Sequence, residues 1–249
     1  MEGANSILLR TFLHASRKQL DGIDKESYLT ILSYIEESTD DLESSSLLFN
    51  EGRYRNSIIL LAQSVEKIAK GQFLHLGIID KKRAKEVSHR TPTMWVDLIN
   101  SNVGQLGLMV VGQDFERLDQ DKEGFPELMK RTDEISDMSY DDIMSLLKFS
   151  DESEKFIFGF IESTFPLKKR REFIRNWAKS IPQLYYLSII VFTHYQYARY
   201  QVQREIMIDY DETHPIVLAY DEIKTRLEFC IASIAIYAEE VYNRNKDRN

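Results

Sequence analysis

The residues of this 249-residue chain best equipped for chemistry are five histidines, one cysteine and a concentrated run of cations. His14, His75, His89, His194 and His214 are scattered, so no two share the spacing of a metal-binding helix face; His-Glu-x-x-His is absent, and the two inward Glu-x-x-His motifs of a di-metal bundle do not occur. Gly104-x-x-Gly107 is two glycines and not a phosphate loop. Asp119, Asp121 and Glu123 alternate like the start of a calcium loop, but the glycine and closing glutamate do not follow, and the segment reads as a solvated acidic loop. The expectation is no cofactor and no metal. Lys168, Lys169, Arg170 and Arg171, with Arg175 and Lys179 beyond, place several cations over two helical turns beside Phe173 and Trp177. Three readings stand for them: a solvated face paired with acidic chain elsewhere, an RNA- or phosphate-binding face where charge and stacking act together, or a nuclear address.

Two more positions carry potential. Glu66 and Lys70 lie at i and i+4, acid first, which supports a helix by about 0.2–0.5 kcal/mol if the pair is exposed. The pair reads either as solvated surface or, with Lys67, as the lining of a groove at a dimer interface where lysine holds phosphate as a point charge. Arg53 and Arg55, at the start of the same helix, add further phosphate contacts on that second reading. His194, inside Phe192-Thr193-His194-Tyr195, reads as a packed or interface histidine, with a ligand or base role as the alternative.

The elements that hold these residues are helical. Only 10 Gly and 5 Pro are present, too few for the many reversals of a sandwich or barrel, and nothing reads as a strand. From Ser27 to Phe49, the residues Tyr28, Ile31, Leu32, Ile35, Leu42 and Phe49 make one apolar stripe, with small Ser38 and Ser45 on the same face. Asn50-Glu51-Gly52 stops it. A second stripe follows at Tyr54, Ile58, Leu61, Val65, Ile68, Gln72 and Leu76, closing at Gly77, and so short a turn makes the two helices antiparallel. A solvated Lys81–Glu86 run and a helix from Pro92 to about Asn102 come next. Helices are expected over Tyr140–Phe149, around Glu152–Glu162 and from Leu167 to about Ile208, interrupted at Pro182. Asp211 to Pro215 is a turn, and a last helix carries Tyr220 to Val241 before a polar tail from Asn243.

Net charge is −8, but residues 110–155 hold 14 acids against 6 bases, so the remaining chain has 26 of each and is neutral. The acidic balance therefore argues neither for nor against nucleic acid. A lone Cys230 predicts a reducing compartment, the start lacks a basic n-region, and the longest apolar run, Phe229–Ala238, is far short of a membrane span. The chain reads as cytoplasmic, with no membrane segment.

The segment Asp40–Lys70 resembles the central hairpin of HEPN domains: Leu48-Phe49 ends the first helix, Gly52-Arg53-Tyr54 makes the turn, and Ala62, Glu66, Lys67 and Lys70 mark the second helix. Ser88-His89-Arg90 before Pro92 is similar to the family's entry to a third helix. The likeness covers about residues 25–105 and, within HEPN, is closest to the AbiV abortive-infection group. With the helical reading of the rest of the chain, it implies an all-α, antiparallel HEPN-like bundle in one domain over 1–249: the resembling core at about 25–105, then the long irregular acidic insertion read at about 106–150 and completing helices at about 152–245. It also implies a homodimer and a phage-defence or toxin-like role.

Many HEPN proteins are metal-independent ribonucleases whose signature is Arg, four to six residues, then His. Histidine acts there on the ribose 2′-hydroxyl and arginine on the phosphorane charge. Arg83 and His89 have that spacing. With 16 arginines and five histidines, each offering three permitted spacings, about one such match arises by chance, and this one lies before the third helix and not on a late helix. The sequence thus favours a non-catalytic scaffold, with an active ribonuclease and an RNA- or protein-binding module on the 168–179 face as its rivals.

Overall fold

The computed structural model describes residues 24–75, 79–87, 138–148, 176, 179–181, 183–192, 194–195, 198–199 and 208–246. Helix α1 spans Lys25–Asn50, opened by Asp24, whose Oδ1 accepts from the Ser27 backbone N–H at 2.7 Å. That bond satisfies a donor the helix itself leaves unpaired. At the far end the Gly52 N–H donates to Phe49 O (3.0 Å) and the Arg53 N–H to Leu48 O (2.9 Å), the paired bonds of a Schellman stop. Gly52 supplies the left-handed residue such a stop requires, with φ 72°. Helix α2 follows at Tyr54–His75.

Two rows of small residues set how closely these helices approach. Ser38 and Ser45 on α1 face Ser64 and Ser57 on α2, and each hydroxyl pair is closed: Ser38 and Ser64 Oγ are 2.9 Å apart, Ser45 and Ser57 Oγ 3.0 Å. The Ser38 and Ser64 hydroxyls also bond one another's backbone carbonyls, at 2.9 and 2.7 Å. One heptad further along, Gly71 lies against Ile31 and Tyr34. The serines placed on the α1 stripe from periodicity are thus buried and paired, which makes their presence in a core tolerable.

Helix α3, Lys81–Val87, is capped by Asp80, whose Oδ1 accepts from the Arg83 N–H at 2.7 Å. The expected solvated run is therefore a short docked helix: Ala84 is buried and the Lys81 ammonium reaches Glu26 at 2.6 Å. Residues 140–148 are helical, with Ile143 and Leu147 inward. Described positions between 179 and 199 are helical as well. The Asp211–His214 turn leads into α4, Pro215–Leu218, so Pro215 opens a helix where a turn residue was expected. Helix α5, Tyr220–Lys246, runs beyond the expected tail at Asn243.

The long elements form an antiparallel bundle around α2. Tyr220 stacks on Phe49 (3.9 Å) and Tyr242 on Tyr28 (4.1 Å), so α5 runs opposite to α1. The 179–199 segment runs opposite to α2: the carbonyl of Ala198 accepts from Arg55 Nε at 2.7 Å near the start of α2, while Ser188 lies beside Glu66 further along. Covered on several sides, α2 buries Ile58, Leu61, Val65, Ile68 and Phe73, each contributing roughly 1.5–3 kcal/mol of transfer free energy. Among the described residues every regular element is helical, and no helix is long and apolar enough to cross a membrane. The expected Pro92–Asn102 and Glu152–Glu162 helices, the Pro182 interruption and most of the acidic insertion lie outside the described residues.

Candidate functional site: a buried ion pair beside a narrow cleft

Glu66 and Lys70 are 8% and 7% exposed, with Lys70 Nζ donating to Glu66 Oε1 at 2.6 Å. The solvated surface pair is thereby corrected. What local spacing could not reveal is that the 179–199 segment lies along this face of α2. Between them runs a small cleft lined by Ala62, Val65 and Glu66 of α2 and by Ser188, Val191, Phe192 and Tyr195, with room for about one water-sized molecule. Ser188 donates its hydroxyl to Leu184 O at 2.6 Å. At one end Arg199 packs over the Tyr195 ring, 5.6 Å from its centroid, and its Nη1 contacts the Tyr195 hydroxyl.

The chemistry of this arrangement is that of a closed dipole. Each charge is stabilised by its partner in surroundings that would penalise either alone, so the pair resists separation without offering a free base or a free cation. Lys67, one residue on, turns the other way, towards α1, 2.8 Å from Asp41 and 3.4 Å from Glu37. Burial pulls the Lys67 ammonium down, but the Asp41 and Glu37 carboxylates outweigh it and hold it above the usual lysine value. Asp41 is pushed up, burial outweighing the pull of Lys67. Tyr34 is also raised, first by burial and then by the charges of Glu37 and Glu66.

The remaining residues singled out by sequence are spread over the molecule. Arg53 sits at the exposed turn, 3.7 Å from Glu51, and does not approach the Glu66–Lys70 pair. Arg55 is committed through Nε to Ala198 O, tying the start of α2 to the 179–199 segment. Arg83 lies on α3, while His89 falls outside the described residues. Lys168, Lys169, Arg170, Arg171 and Arg175 are outside them too; Lys179 is described, with Nζ 6.0 Å from the Phe229 ring centroid. Cys230 is buried in α5 with Sγ 3.6 Å from Gln183 Oε1, and burial pushes its thiol well above the usual range.

The histidines that appear scattered in sequence are partly gathered in space. His194 and His214 lie with ring centroids 5.3 Å apart, and Tyr210 joins them, 4.7 Å from His214. His75 packs on Tyr237 at 4.4 Å. Burial lowers both His75 and His194 to about 3. Among the described residues no group of three or more His, Cys, Asp or Glu could hold a metal ion. Sequence reasoning missed the His194–His214 contact because 20 residues separate them and no local periodicity links them.

No curated protein and no solved structure matches the chain. Residues 31–89, which comprise most of α1, all of α2 and α3, match the family model described as HEPN domain. This part of the all-α bundle is therefore similar to a HEPN domain, and the Glu66–Lys70 pair lies inside the matched region.

Proposed function

We propose that this is a HEPN-type helical protein of abortive-infection kind, related to the AbiV group, acting in the cytoplasm as a homodimer in a phage-defence or toxin-like role. The observation that carries this reading is the match of residues 31–89 to the HEPN domain. In this reading the chain is a single all-α domain, with its core at about 25–105 and the acidic segment at about 106–150 inserted before the completing helices. Arg53, Glu66, Lys67 and Lys70 belong to the surface that meets the second copy. Arg53, with its side chain 57% exposed, touches that copy directly, while Glu66 and Lys70, bonded to each other along α2, lie behind that surface. The 168–175 cations bind RNA or a protein partner. The role is non-catalytic at Arg83 and His89, whose spacing is at chance level.

The test has three readouts on the full chain. Bacteria expressing it should restrict phage or arrest growth on infection relative to an empty vector, and the purified protein should have twice the chain mass by light scattering. No RNA should be cleaved in chelator. Unaltered plaque counts and growth sink the defence role, monomeric protein sinks the dimer, and cleavage lost in His89→Ala establishes the ribonuclease reading instead.

A further inference from the structure

The turn before α5 is built around imidazoles that must stay neutral. His214 is the N-cap of α4: its Nδ1 accepts from the Ile216 N–H at 3.3 Å, which requires a lone pair on that nitrogen. Protonated, Nδ1 becomes a donor facing a donor, and the cap is lost. His194 lies across from it, fully buried, and neither of its ring nitrogens has a hydrogen-bond partner. An imidazolium there would bury two N–H donors and a charge with nothing to receive them. The third member, Tyr210, donates its hydroxyl to the backbone carbonyl of His194 at 3.1 Å, so the turn is tied directly to the 179–199 segment. Among the described residues the charged group facing the cluster is Asp211, which favours a proton on His214, but its Oδ1 is already held by Thr213 through the backbone N–H (2.8 Å) and hydroxyl (2.7 Å). The other titratable groups facing it, among the described residues, are Tyr210 and the two histidines themselves.

We propose that Tyr210, His214 and His194 form an acid-sensitive latch, closed when both imidazoles are neutral, whose protonation releases the 208–219 turn from the 179–199 segment that walls the Glu66 cleft. The same 179–199 segment carries His194 and the cleft residues Val191, Phe192 and Tyr195, so the latch and the cleft share one support. The sign follows from linkage: the closed state disfavours the proton at both rings, and the open state returns them to ordinary histidines near 6.5. Opening is therefore unassisted above 6.5 and is favoured progressively as pH falls below it. With His194 at about 3 in the closed state, that ring alone raises the opening constant about 30-fold between pH 7.5 and 5.0.

Amide hydrogen exchange on the full chain, corrected for intrinsic rates, tests this. The wild type should lose about 30-fold or more protection across 208–219 and 183–195 between pH 7.5 and 5.0, and should remain less protected there at both pH values than the α1–α2 hairpin, which exchanges through global unfolding. In a His194→Phe/His214→Asn variant, which retains a ring and a capping acceptor but titrates at neither, the loss should fall below about threefold. An undiminished loss in the variant overturns the latch. So does a wild-type loss that is absent, or protection across 208–219 as high as that of the hairpin at pH 5.0, and this wild-type comparison decides the matter even if the variant does not fold.

Discussion

At the scale of single residues, the Glu66–Lys70 pair illustrates why a buried charge is a commitment of the surroundings. Removing Glu66 takes the carboxylate from a buried ammonium, so Glu66→Leu should cost about 3–5 kcal/mol, and Lys70→Met should destabilise as well. Removing both should restore most of that, because the desolvation cost leaves with the charges. Urea unfolding of the two single variants and the double measures the coupling, and additive losses would show that the contact is not the source. Gln72 poses the opposite case. It is 1% exposed, on the stripe that sequence periodicity turns inward, yet neither its amide nitrogen nor its oxygen has a partner. An apolar side chain of similar volume removes an unsatisfied group without opening a cavity. Gln72→Met should therefore raise stability by about 1 kcal/mol, seen as a melting temperature about 2–4 °C higher. A lower melting temperature would mean that the amide is satisfied in solution.

At the scale of elements, two glycines in one hairpin should respond in opposite directions. Gly52 has φ 72°, so Gly52→Ala strains the Schellman stop without any clash, and a loss of about 1 kcal/mol is expected. Gly71 is in the interior of α2, and a Cβ there would meet Tyr34 Cβ at 3.5 Å, ordinary contact. Gly71→Ala should gain up to about 1 kcal/mol from helix propensity. Chemical denaturation of both variants checks the contrast. The hairpin was also the most legible element: the α1 stripe, the stop at Gly52, the start at Tyr54 and the antiparallel pairing all follow from local spacing and turn chemistry, which act within a few residues. The burial of Glu66 and Lys70 was not legible, because their own helix is indifferent to it; the 179–199 segment, more than 100 residues later, decides it. The α3 helix was hidden for a related reason. A run of cations reads as solvated, and its dock depends on Ala84, a single small residue, and on Glu26 of α1.

At the scale of the whole molecule, stability should depend on acid through histidines more than through carboxylates. His75 and His194 are each held at about 3 by burial, against 6.5 when unfolded, and His214 is lowered as well. A group lowered on folding binds its proton more readily in the unfolded chain, so the stability it represents is intact above 6.5 and falls steadily as pH drops from there towards about 3. Asp24, Asp142 and Asp211 are lowered by their capping and turn hydrogen bonds, but they act only below the ordinary aspartate value of 3.8. At the alkaline end Tyr28 and Tyr34 are raised by burial, so their contribution is present below 10 and lost above it. The expected profile is a plateau between about 6.5 and 10 with an early acid limb. Between pH 7.5 and 5.0, His75 and His194 should remove about 2 kcal/mol each. His75→Phe keeps a ring against Tyr237 and removes one titration, so it should take about 2 kcal/mol off the drop measured by urea unfolding at the two pH values. It should leave exchange in the 208–219 turn unchanged, since His75 lies on α2, away from His194 and His214. An acid limb that begins only below about 4 would assign the loss to the carboxylates and place both imidazoles in contact with water.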